Sequence, residues 1–175
     1  MNEIEAQSLM QSWENMAIMV RYIADYPQYI DLLMTKATDD SQPENWRAAW
    51  MIDKIHDKHP DIVRPYIPRI TEFVLKTKNS GKKRHFLKLI GMYPISDEKL
   101  PELIDFGINT FTGASEDIAV RVHAMQILSN IAEREPGLAG EFIELIEREM
   151  EYHGSAGLNS RGRKLLKKLY KIKNL

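Results

Sequence analysis

The chain has 175 residues, a net charge of −1, 43% apolar and 28% charged residues, and no cysteine, an ordinary soluble balance at the length of one domain or a short repeat array. Lack of cysteine excludes disulfides, thiolate catalysis and cysteine zinc sites, and no run approaches the roughly 18 uncharged apolar residues of a membrane span. The opening "MNEIEAQSLMQSWENM" is acidic and has no basic n-region before an apolar core, so it does not read as a secretory signal, and a cytoplasmic location is the default expectation.

The predicted elements follow in chain order. The first helix carries Met16, Ala17, Met19, Val20 and Ile23 on one stripe. Further helices are expected over roughly 28–38, 43–59, 61–78, 80–93, 97–112, 115–134, 137–152 and 158–173. Pro27, Pro60, Pro94 and Pro136 stand at the junctions. Proline removes a backbone donor and disfavours helix in the residue before it, so each one marks a break. "TDDSQPE", "KTKNSGK", "TGASED" and "YHGSAGLN" are polar, turn-rich connections, and no hairpin signal suggests strands.

Every second helix repeats one pattern. Ile52, Ile90, Leu128 and Leu166 lie 38 residues apart. Around each anchor the offsets −4, −3, −1 and +3 are apolar, except at Gly162 and Arg163. These offsets trace one stripe of a 3.6-period helix. Helix pairs recurring at such a period cannot each cover their own apolar face, so they must stack.

The third unit, "LPELIDFGINTFTGASEDIAVRVHAMQILSNIAE", resembles a HEAT or armadillo-type repeat. Its first helix opens on Leu100-Pro101 and its second on Val120-Arg121, with Ala124 following. The other units share the helix spacing and apolar pattern, so the likeness extends over roughly 27–173. Tetratricopeptide repeats, with a period of about 34 residues, fit less well. The resemblance implies an all-α fold, a right-handed α-α superhelix of about nine helices. The chain then reads as one helical-repeat domain over 1–175, with an irregular N-terminal repeat at 1–26 and pairs at 27–60, 61–94, 95–136 and 137–175.

Catalytic motifs are absent. "NSGKKR" contains a Gly-Lys pair, but Lys76 stands where a phosphate loop needs its first glycine, and no Ser or Thr follows the lysine. In "DKIHDKHPD", Asp53, His56 and Asp57 share one side of a helix and His59 follows. They are conceivable metal ligands, but His59 suits a helix C-terminus and His56 falls only about 40° from the anchor at 100° per residue, at the core edge. No metal or cofactor site is therefore expected.

Charge is laid out in blocks: −6 over 1–61, +7 over 62–96, −9 over 97–151 and +7 over 152–175. Such blocks make local fields that the net charge hides. At offsets −5, −2 and +2 from each anchor, about 220°, 160° and 200° around the helix, side chains point away from the apolar stripe. Those positions hold Arg47, Trp50, Lys54; His85, Lys88, Met92; His123, Gln126, Asn130; and Arg161, Lys164, Lys168, with no carboxylate among them. In HEAT-like proteins the helix carrying the Val-Arg-x-x-Ala pattern commonly lines the concave side, so the resemblance implies that this ladder lines a groove. Asp53, Asp57 and Glu133 lie near its margin.

The expected function is a non-catalytic binding or scaffold module that holds an anionic or acidic partner, a protein or peptide, on Arg47, Trp50, Lys54, His85, Lys88, His123, Arg161, Lys164 and Lys168. The alternative is nucleic-acid binding through phosphate contacts and stacking on Trp50. DNA alkylation-repair glycosylases are built of HEAT-like repeats, but their catalytic pattern has no match here. The basic tail "SRGRKLLKKLYKIK" reads as a terminal helix with a solvated outer face rather than a membrane-surface helix, because the repeat pattern claims its apolar side.

Overall fold

A computed structural model describes residues 14–174. These residues are helical and contain no strand. The expected first repeat therefore lies partly outside the described residues. By contacts the chain divides into two compact units, Met1–Leu89 and Ile90–Leu175.

The first unit contains α1 (Met16–Asp25), α2 (Ile30–Ala37), α3 (Trp46–His56), α4 (Pro60–Val63), α5 (Ile67–Val74) and α6 (Ser80–Ile90), which closes it. A helix was expected over 61–78. The structure instead breaks it, with a 3-10 turn at Arg64–Tyr66 separating α4 from α5. Pro65 and Pro68 explain the break, since each lacks the amide that would continue the α-helical ladder. Elsewhere proline opens helical turns, at Pro27, Pro43 and Pro60, where a missing N–H costs nothing.

The centre of this unit is α3, against which α1, α2 and α4 all pack. Ala48, Ala49, Met51, Ile52 and Ile55 are all buried, a wider stripe than a one-sided helix shows. Phe73 meets Phe86 edge-on at 5.9 Å. Lys82 is fully buried and donates to Asp40 Oδ1 at 2.8 Å and to the Asp39 carbonyl, fastening α6 to the α2–α3 loop. Phe73 also presents its ring face to that ammonium, a favourable cation–π arrangement.

The second unit contains α7 (Leu100–Thr112), α8 (Ile118–Arg134), α9 (Ala139–His153) and α10 (Ala156–Lys173). Here α7 packs on α8, α9 on α10, and α10 on α8. Ser155 caps α10 by accepting from the Leu158 amide at 3.3 Å, satisfying one of the free donors at a helix start. Ala124, Met125, Ile127, Leu128 and Ile131 are buried throughout. Across the interior, Arg121 Nη2 donates to Glu149 Oε2 at 2.8 Å and Arg121 Nε to the Phe111 carbonyl at 2.7 Å. The buried guanidinium is thus paired and hydrogen-bonded, as burial of a charge requires.

Ile52, Ile90 and Leu128 are buried as the repeat spacing predicts. Leu166 is not: it is half-buried, and α10 instead turns Leu158, Gly162, Leu165 and Leu169 inward. With α8 and α9 as its packing partners, α10 covers a narrower stripe, centred on one side of the expected anchor.

Candidate functional site

The predicted outward positions fall in both units. In the first, those of α3 and α6 converge on two carboxylates. Asp53 is buried on α3. His85 Nδ1 lies 2.9 Å from Asp53 Oδ2, and Lys88 Nζ donates to Asp53 Oδ1 at 2.5 Å and to Asp57 Oδ1 at 2.9 Å. Lys54 Nζ reaches Asp57 Oδ2 at 3.2 Å. Both His85 and Asp53 are almost fully covered.

Charge pairing sets the protonation behaviour of this cluster. Burial pushes the Asp53 carboxyl up, but hydrogen bonds from His85 and Lys88 outweigh it and hold the group below the usual carboxylate range. Asp57 is held low in the same way, with burial outweighed by Lys88 and Lys54. Burial lowers the Lys88 pKa, yet its two carboxylate partners more than reverse this and raise it. Burial pushes His56 below the ordinary histidine value, against the pull of Asp53 and Asp57. In this arrangement, cations saturate the carboxylates of the "DKIHDKHPD" run. Among the described residues no group of three or more acidic or histidine side chains is placed to hold a metal ion. Arg47 and Trp50, also on α3, are both half-buried, and the Arg47 guanidinium lies 5.2 Å from the centre of the Trp46 ring.

In the second unit α8 and α10 carry the predicted positions. Asn130 Nδ2 donates to the Gly91 carbonyl at 2.8 Å, and one turn later Arg134 Nη1 donates to the Ile95 carbonyl at 2.7 Å. Asn130 therefore clamps the segment before α7, and Met92, expected on a helix, lies beyond the end of α6 and is exposed. A groove of about 380 Å³ lies between that segment and the end of α8, with Tyr93, Pro94 and Ile131 on its walls. Nothing in the sequence marks it, because it depends on two side chain–carbonyl bonds across 39 residues. Gln126 Nε2 donates to Asn130, and Arg161 donates to the Gln126 side-chain oxygen. Lys168 pairs with Glu133, and His123 is half-buried.

The densest charge is on α10. Arg161, Arg163, Lys164, Lys167, Lys168, Lys171 and Lys173 are all exposed, and the helix contains no carboxylate. Of these, Arg161 and Lys168 border α8 through Gln126 and Glu133. Sequence periodicity singles out Arg161, Lys164 and Lys168 but passes over Arg163 and Lys167; the signal for them is the acid-free basic run itself.

Among the described residues no helix is long and apolar enough to cross a membrane. A family profile described as HEAT repeat domain matches residues 6–169. No curated protein and no solved structure matches the chain.

Proposed function

Because the chain belongs to the HEAT repeat domain family, a fold of protein-interaction modules, we propose that it is a non-catalytic binding module whose partner is an acidic protein segment. The observation that carries the reading is the acid-free outer side of α10, with seven exposed cations. Arg161, Lys164 and Lys168 form the centre of the proposed surface, with His123 on the neighbouring α8. Arg47, Trp50, Lys54, His85 and Lys88 are the corresponding group in the first unit. That second group is weaker, because Lys54 and Lys88 are neutralised by Asp57 and Asp53 and His85 is almost fully covered. On α10, by contrast, Lys168 is paired with Glu133 but Lys164 faces solvent.

A fluorescent acidic peptide tests this by anisotropy against the wild-type chain and Lys164→Glu/Lys168→Glu. Exposed positions away from caps and cores shift stability by less than about 0.5 kcal/mol, so circular dichroism should show an intact fold. Affinity for the peptide is expected to fall about tenfold or more, equivalent to ~1.4 kcal/mol. Unchanged affinity would overturn the proposal. Single-stranded DNA serves as the control ligand. Tighter binding to DNA than to the peptide, with a salt slope of about 0.7 per phosphate contact, would replace the protein partner with a nucleic acid.

A further inference from the structure

The outer side of the α9–α10 pair carries two rows of opposite charge. The two helices run antiparallel. Gly140 near the start of α9 lies beside Lys173 at the end of α10, and Met150 near the end of α9 lies against Gly162 near the start of α10. Between these points Tyr170 Oη donates to Glu147 Oε1 at 2.6 Å. On α9, Glu144, Glu147 and Glu151 are exposed at spacings of three and four residues, so they share one strip of the helix. On α10, Arg163, Lys167 and Lys171 are exposed at spacings of four and form the facing strip. Two more exposed charges, Arg148 and Glu141, lie about 100° and 120° from Glu147, on the flank away from α10. The basic strip is separate from Arg161 and Lys168, which turn to α8 instead.

We propose that this two-row face is a self-association surface, on which a second copy of the chain docks about a two-fold axis lying between the helices. That axis sets the acidic strip of each copy against the basic strip of the other. An isologous interface must be complementary to itself, and an acidic row beside a basic row is the simplest surface that satisfies the condition. Exposed Tyr170, which reaches across to Glu147, adds aromatic area at the seam, the residue type that interfaces favour. Exposed ion pairs are individually weak and are screened by salt, so the dimer is weak and sensitive to ionic strength.

Sedimentation equilibrium of the full chain tests the proposal. A concentration-dependent dimer is expected at about 0.01 M salt, where charges act over about 30 Å, and dissociation at about 1 M, where they act over about 3 Å. Arg163→Glu/Lys167→Glu leaves both strips acidic, and Glu144→Lys/Glu147→Lys leaves both basic. Each variant is expected to be monomeric alone. Mixed in equal amounts, they should form a heterodimer, because the strips are again complementary. Wild-type chain that stays monomeric at low salt overturns the proposal without recourse to any variant. So does a dimer that survives both reversals, or a mixture of folded variants that fails to pair. The acidic-peptide test uses Lys164 and Lys168 instead, so the two readings fail separately.

Discussion

Asp53 illustrates how one buried carboxylate organises its surroundings. It holds His85 and Lys88 from a neighbouring helix, and Asp53→Ala would leave His85 without its acidic partner and Lys88 with Asp57 alone. Removing one member of a buried pair costs about 3–5 kcal/mol, so urea melts should show a loss of that order. The pH dependence follows from the same contacts. The folded pKa of Asp53 is depressed, so its contribution is present above the ordinary carboxylate value of 3.8 and is lost as pH falls through the folded value. His56 is also depressed, through burial, so the fold favours its neutral form and stability declines as pH drops below the ordinary 6.5. Lys88 is raised, so its share is complete below 10.5 and is lost only above it. Melts should therefore show two stages of acid loss, and Asp53→Ala should shrink the lower one, to which Asp57 still contributes, while leaving the histidine stage. A single loss that begins below pH 4 in both proteins would contradict this.

At the level of the helix, close approach and position in the stack decide the cost of a substitution. A Cβ on Gly107 of α7 would sit 2.8 Å from Leu128 Cδ2, inside the core of the second unit. Gly107→Ala should therefore destabilise by about 1–3 kcal/mol, as overpacking does. A Cβ on Gly162 of α10 would meet Met150, a flexible and only half-buried side chain. There the gain in helix propensity, up to about 1 kcal/mol, offsets the rearrangement, and thermal melts of Gly162→Ala should differ little from wild type. Leu128→Ala should cost about 2–5 kcal/mol, and Leu166→Ala clearly less, because Leu166 is half-buried; equal losses in denaturant melts would refute that ranking. The 38-residue spacing made the helices and three of the four anchors legible before any coordinates. It did not reveal Leu166 as peripheral, because periodicity reports an apolar stripe and not the number of neighbours available to cover it. The outward positions were legible as a pattern of side-chain types. Their pairing was not, because Lys88 to Asp53 and Lys168 to Glu133 are contacts across 35 residues that depend on how adjacent helices are set.

For the molecule as a whole, a net charge of −1 conceals blocks of +7 and −9. Retention on a matrix depends on the local field rather than the sum. The chain should therefore bind a cation exchanger at low salt and pH 7, although its isoelectric point is about 6.5. Lys164→Glu/Lys167→Glu/Lys168→Glu should elute markedly earlier, and co-elution with wild type would show that α10 does not dominate the field. Lys82 has a consequence of another kind. Its amine is enclosed completely between α6 and the α2–α3 loop, whereas the lysines of α10 face solvent. An acylating reagent would modify the latter in the native chain and reach Lys82 only when that loop opens. Peptide mapping of the slowly labelled amine thus provides a clock for the opening of the first unit, written into the chain without any added probe.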